Sequence, residues 1–464
     1  MTKLKPIKWF ILLALLFTSS GNLFAQADGT AADPAVTADV APAEPAAEEE
    51  EAKLDTGDTA WMLTATVLVL LMTLPGLALF YGGLVRSKNI LSVLVQCFVI
   101  AAVMTIVWIA YGYVFSAAGG EGFLGQFFNT TGSLDTANGP KCGLFLGHLT
   151  DSALSGTMPE SVWITFQMTF IIITPALIVG AFAERMKFAA VLVFTTIWTT
   201  FSYLPIWHMA WGGGLFDGMG VIDFAGGTVV HINAGIAGLV ACIMVGKRKT
   251  SGPPHNVPLV IIGAALLWVG WFGFNAGSAG GANESAGFAM LTTQIATAAA
   301  VLAWLAIEWL VIRKVTAVGA ATGAVAGLVA ITPASGSTTV LGALVIGIAS
   351  GLICFFTATT LKRKLGYDDS LDVFGVHGIG GIVGALLTGL FLRESVTGAE
   401  DFIGIPAQFF AQLKSVVITI VWSGVVSVIA LTIAKIVCRG LRTPEADESE
   451  GLDTTTHGET AYTN

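Results

Sequence analysis

The sequence predicts an all-α membrane protein of eleven spanning helices, built as two five-helix halves in inverted repeat plus a final helix. Three observations carry this expectation. Of the 464 residues, 54% are hydrophobic and only 11% charged, against roughly 25% charged in an ordinary soluble domain. The apolar residues fall in runs of about 20, the length at which a helix crosses a bilayer. The basic residues cluster in alternate connections between those runs. The 55 glycines suit helices that pack closely through small residues, where a coiled coil or solenoid would have few.

In chain order, residues 1–26 read as a secretory leader. Lys3, Lys5 and Lys8 precede a short apolar run from Trp9 to Phe17, and Leu23-Phe24-Ala25 before Gln26 offers a cleavage site. Residues 27–56 are rich in Ala, Pro and Glu, with the acidic run Glu48 to Glu51, and are expected to form a disordered outer tail. A membrane domain, 57–438, follows, with spans near 60–84, 89–116, 161–183, 188–209, 224–246, 257–276, 286–312, 317–333, 339–361, 374–393 and 411–437. Residues 439–464 form a cytoplasmic tail. With the mature N-terminus outside the cell membrane, the inner connections hold 15 of the 19 Lys and Arg that remain after the leader. That alternation is what positive-inside sorting requires, and it fails if a span is missed.

The long connection 117–160 is expected to cover the outer face. Its Asn129-Thr130-Thr131 is formally a glycosylation acceptor and equally a chance match. Cys97, Cys242, Cys354 and Cys438 lie in or beside apolar runs as small hydrophobes, and Cys142 stands alone in the outer loop. No disulfide framework, zinc spacing, metal or cofactor is expected.

The chemistry concentrates in two Gly-rich stretches. Asp223-Phe-Ala-Gly-Gly-Thr-Val-Val-His231 opens the fifth span, and Asp372-Val-Phe-Gly-Val-His377 opens the tenth. Five spans per half invert the second half relative to the first, and inverted repeats hold their substrate path at the interface between them. An ionisable ring at membrane depth is costly and usually functional. Two neutral imidazoles bond each other and still offer nitrogen to a small guest, and a pKa near 6.5 suits proton passage. His148, His255 and His457 are expected at solvated surfaces, and His208 at the membrane interface.

Aromatic and hydroxyl groups mark the outer span ends: Phe166 and Phe170, Trp207 and Trp211, Phe274 and Ser278. Most membrane aromatics anchor or pack. Trp211 differs because Gly212, Gly213 and Gly214 leave its face open. An indole face with a hydroxyl oxygen holds a small cation by about 0.5–2 kcal/mol. Asp372 is expected to be structural, Glu184 and Arg185 to pair with each other at the inner surface, and Gln167 and Glu308 to bridge helices. Tyr81, Asn275 and Thr332 either line the path or pack helices.

These residues resemble a known family. Asp223 to Arg248, Phe80-Tyr81-Gly82-Gly83-Leu84, Ala183-Glu184-Arg185, Gly273 to Ser278 and Asp372 to Gly378 are similar to the ammonium transporter (Amt/Rh) family on its Amt branch. So is the tail, in Gly440-Leu441-Arg442 and Gly451-Leu452-Asp453. The resemblance covers about residues 57–464. It implies a homotrimer with a pore in each eleven-helix subunit, which carries ammonium or methylammonium and is not an enzyme. Residue by residue it implies that Trp211 and Ser278 form the outer ammonium site with Phe170 beside it. Phe170 and Phe274 would stack as an apolar gate, His231 and His377 would be the twin histidines of the lumen, and Asp223 would order the outer site.

Such a gate would admit a guest only once it has shed its charge, which ammonium does and potassium does not. The alternatives are an ammonium sensor that signals through a PII-type protein docked on the tail, an intramembrane protease using Ser278 and His377, and a neutral-gas or urea channel. The protease reading lacks a Gly-x-Ser-Gly context.

Overall fold

Each of the expected apolar stretches is helical in the computed structural model, which describes residues 53–117, 144–400 and 402–462. The leader, nearly all of the acidic tail, Asn129 and Cys142 lie outside the described residues. Among the described residues nine helices are long and apolar enough to cross a membrane: α1 (Thr56–Leu84), α2 (Ile90–Ala117), α3 (Glu160–Phe182), α4 (Phe188–Gly218), α5 (Gly227–Val245), α6 (Val257–Gly277), α7 (Glu284–Ile312), α9 (Val340–Leu365) and α11 (Ile405–Val437). Two further apolar helices, α8 (Ala317–Ile331) and α10 (Phe374–Thr388), are shorter. The chain is a multi-pass membrane protein.

Helix starts follow local chemistry. α6, α7, α8 and α9 open on Asn256, Asn283, Thr316 and Thr339, whose side-chain oxygens accept from amides three residues on. Each cap satisfies a donor the helix cannot. α5 and α10 begin instead with wide π-helical turns, Gly227–Ile232 and Phe374–Gly378, each carrying one of the two histidines.

Small residues set how closely the helices approach. The backbones of α5 and α10 touch at Gly235 and Gly378, where a Cβ added to Gly235 would lie 2.3 Å from the Gly378 Cα and N. Gly235 follows His231 by one turn and Gly378 follows His377 directly, so this contact fixes the separation of the two rings.

At the basic face the charges are arranged differently from the sequence expectation. Glu184 and Arg185 do not pair, since adjacent residues in a tight turn point apart. Glu184 accepts from Arg86 at 2.8 Å and Arg248 at 3.1 Å. Burial works against its charge, but the Arg86 and Arg248 bonds and charges hold its carboxyl below the ordinary range. Arg185, fully buried, donates to the carbonyls of Ala181, Ala183 and Gly246 and to Ser370. Asp368 closes the network on Arg248 at 2.8 Å. Its burial is outweighed by those bonds, and its carboxyl is held down at about 2.

The tail folds back onto this face. Lys187 N–H donates to Leu441 O at 2.9 Å, Lys249 N–H to Glu448 Oε1 at 2.7 Å, and Leu452 N–H to Asn89 Oδ1 at 2.8 Å. Ser92 N–H donates to Asp453 Oδ1 at 2.8 Å, and Arg442 pairs with the buried Glu448 at 2.6 Å.

Three expected surface histidines are only half-buried and all are engaged. His148 meets Glu160 at 3.2 Å, His255 bonds Val85 O at 2.8 Å and the Tyr462 hydroxyl at 2.9 Å, and His457 packs edge-on against Phe188. His208 is fully buried within the protein, its Nδ1 3.0 Å from Ser116 O. Gln167 does bridge helices, accepting from Trp207 at 2.9 Å. Glu308 accepts from the Thr316 amide and hydroxyl at the turn into α8. Tyr81 and Asn275 pack helices through Leu177 O and Thr293.

Candidate functional site

The site is assembled from the start of α5, the ends of α4 and α6, the middle of α3 and the start of α10. Asp223, nearly buried, accepts from the amides of Gly226 at 3.2 Å, Thr228 at 2.9 Å and Val229 at 3.1 Å. An anion there satisfies three otherwise orphaned donors and complements the positive end of α5. Its own carbonyl accepts from Trp211 Nε1 at 2.8 Å, so the turn that starts α5 also aims the indole. Gly226, at φ 103°, lies under that ring, where a side chain would collide with it.

Trp211 is half-buried and stands edge-on to Phe170, with ring centroids 6.0 Å apart. Phe170 stacks on Phe274 at 4.3 Å and 30°, and both are fully buried. Phe274 in turn lies over His231 at 5.9 Å, and His231 lies over His377 at 5.3 Å. The five rings form one continuous column. Ser278, one turn beyond Phe274 at the end of α6, donates its hydroxyl hydrogen to Phe274 O at 2.8 Å. The oxygen lone pairs stay available to accept.

The two histidine Nδ1 atoms are 3.3 Å apart, so one ring donates and the other accepts. His231 Nε2 is buried with no hydrogen-bond partner among the described residues. His377 borders a cavity of about 200 Å³ shared with Phe80, Leu84, Asp372 and Arg248, on the basic side of the pair.

Two residues of this site were not singled out from the sequence. Trp271, one turn before Phe274 on α6, stacks on His231 at 5.3 Å and donates to the Thr332 hydroxyl at 2.9 Å. The i, i+3 spacing from Phe274 was the signal. The second is Asp369. Eight residues before His377, as Asp223 is eight before His231, it is buried and accepts from the Phe374 amide at 2.8 Å. The expected counterpart of Asp223, Asp372, instead pairs with Lys362 and faces the inner cavity. Ser278 and His377 are not a nucleophile–base pair, because each has another partner and Phe274 and His231 stand between them.

The chain is a multi-pass helical membrane protein in which an indole, a stacked Phe pair and a hydrogen-bonded histidine pair share one column of rings. The chain belongs to the Ammonium Transporter Family, whose model matches residues 60–462. This is a transporter family rather than an enzyme family. The chain is 50% identical over 418 residues to an ammonium transporter of Aquifex aeolicus, covering 89% of this chain and 95% of the relative. Among solved structures it is similar to one described as a sensor Amt protein, with TM-score 0.76, 30% identity, and 86% of this chain and 97% of the other covered. It is also similar to Mep2 of Candida albicans, with TM-score 0.74, 32% identity, and 85% and 88% covered.

Proposed function

We propose that the chain conducts ammonium across the cell membrane, recruiting NH4+ at Trp211 and Ser278, stripping its proton at the Phe170–Phe274 stack and passing NH3 along His231 and His377. The observation that carries this reading is the 3.3 Å contact between two buried imidazoles beneath a stacked Phe pair. The cation's N–H donates to Ser278, and the indole face adds about 0.5–2 kcal/mol. Asp223 acts by position, holding α5 and Trp211 in place and lending negative potential to the mouth. Taking an unpaired charge through the Phe layer costs several kcal/mol, which ammonium avoids by releasing a proton and potassium cannot avoid.

The histidine pair also offers that proton a route. With Nδ1–H on His231 and Nε2–H on His377, a proton arriving at His231 Nε2 drives the shared hydrogen to His377 Nδ1. The His377 Nε2 proton then leaves toward the inner cavity, and NH3 is reprotonated there.

The wider architecture is part of the same proposal: eleven spans with the N-terminus outside and the C-terminus cytoplasmic, halves related by inversion, assembly as a homotrimer, and removal of residues 1–26. The matched eight-residue Asp-to-His spacings and the two π turns support the inverted repeat. Uptake of labelled methylammonium by vesicles holding the purified protein tests the transport reading, and currents on solid-supported membranes test the relay. Wild type and His377→Ala that are both electrically silent would remove the relay.

A sensor role is the second reading, favoured by the likeness to the sensor Amt protein. In that case the docked tail face would bind a PII-type protein while vesicle uptake stayed at background.

A further inference from the structure

We infer that the basic face carries a binding site for a phosphate-bearing anion, in the cavity between the connection after α5 and the last turn of α9 with the residues that follow it. The cavity measures about 380 Å³ and is walled by Lys247, Arg248 and Ser251 on one side and Lys362, Arg363 and Tyr367 on the other. Four cations converge on it. Positive-inside sorting explains their presence on this face but does not require that they enclose one hollow.

The acids nearby leave this charge only partly answered. Asp368, the one carboxylate on the wall, has both oxygens engaged by Arg248, at 2.8 and 3.0 Å, and by the Arg248 amide at 2.7 Å. Lys362 is held by Asp372 and by Asp369 O at 3.2 Å. Lys247 and Arg363 make no ion pair among the described residues. Arg363 spends only its Nε on a carbonyl, that of Thr359 at 2.6 Å, so its terminal nitrogens remain available. Gly366, at φ 68°, carries no side chain between the walls, and a Cβ there would sit 3.6 Å from Lys247 Nζ. The hydroxyls of Ser251 and Tyr367 add neutral donors. A fork of guanidinium donors with an ammonium opposite and hydroxyls beside it matches the tetrahedral oxygens of a phosphate.

The site also has a structural route to the pore. Arg248 lines both this hollow and the cavity below His377, and Lys247 O accepts from Arg442 of the tail at 2.6 Å. An anion that draws Arg248 away from Asp368 and Glu184 therefore alters the inner mouth. This last consequence rests on the transport reading above, whereas the binding site does not.

Phosphate of this kind comes either from an anionic lipid headgroup or from a soluble phosphate compound. Native mass spectrometry of the purified full-length protein with dioctanoyl phosphatidylglycerol, and with dioctanoyl phosphatidylcholine as the zwitterionic control, tests the first source. Calorimetry with pyrophosphate tests the second. The expected result is one saturable site per chain for at least one anionic probe, weakened tenfold or more in Lys247→Gln/Arg363→Gln. The charge-matched control Lys314→Gln/Lys435→Gln should bind like wild type. Size-exclusion profiles of both variants report folding independently of activity. Selective phosphatidylglycerol binding assigns the lipid source and selective pyrophosphate binding the soluble one. Loss of affinity no greater in the cavity variant than in the control, or no saturable binding of either probe, overturns the proposal. If binding persists while methylammonium uptake is absent, the site stands and the transport reading falls.

Discussion

The backbone contact between α5 and α10 beside the two histidines makes a sharp test. Replacing Gly235 by Ala would put a Cβ 2.3 Å from the Gly378 backbone, whereas carbon atoms rest about 3.5–4.0 Å apart. Backbone on both sides leaves no flexible side chain to yield, so α5 and α10 must separate by about 1 Å. Overpacking of this kind costs about 1–3 kcal/mol of stability. The same displacement would stretch the 3.3 Å histidine contact beyond hydrogen-bonding range and forfeit about 1 kcal/mol more. Vesicle uptake of methylammonium should fall at least tenfold while the protein still elutes as a folded species with a lowered melting temperature. Gly238→Ala is the control, since its Cβ would meet side-chain carbons of Val373 and Ala181 at 3.0 and 3.2 Å, and it should keep most activity. Uptake within twofold of wild type for Gly235→Ala would refute the claim that this contact sets the ring spacing.

Other outcomes follow from the same geometry. Asp223→Ala leaves three buried amides without an acceptor and should lower stability by about 3–5 kcal/mol, read as an early thermal transition; Asp223→Asn, which keeps one oxygen, should lose distinctly less. Phe170→Ala removes half of the stacked layer and should raise potassium permeation measured by ion flux, while costing about 3–5 kcal/mol of stability; an unchanged potassium block would count against the dry barrier. Trp271→Phe keeps the stacking on His231 but drops the bond to Thr332, and should cost about 1 kcal/mol with uptake reduced less than in His231→Ala. Because the Asp368 carboxyl is held down at about 2, its stabilising share is full above the ordinary carboxylate range near 3.9 and is lost as pH falls through about 2. Asp368→Asn should flatten the acid limb of the stability profile.

The helical architecture was legible because hydrocarbon demands long apolar runs and charge sorting marks their ends. The histidines stood out since few ionisable groups lie deep in Gly-rich stretches. Partner choice was harder to read. Asp368, Asp369 and Asp372 are all close enough to His377 to be candidates, and matching the sequence after the acid favoured Asp372. Matching the distance to the histidine favours Asp369, and only the turn geometry reveals that this distance governs which amides an acid reaches. Glu184 and Arg185 look like a pair in one dimension, but Glu184 sits at φ 72° and turns toward arginines 98 and 64 residues away. The roles of His208 and His255 depend on distant carbonyls that no local pattern announces.

The last helical turns of the chain bind Asn89 and Ser92, at the threshold of the second helix. A ribosome delivers that threshold 361 residues before Asp453, which closes upon it. The staple therefore forms only after every intervening segment has been inserted and has found its place. A chain with one helix misthreaded would emerge with its end on the wrong side or out of reach, leaving Glu448 and Asp453 without their seats. Correct threading of the intervening helices is thus registered by late contacts between residues far apart in sequence.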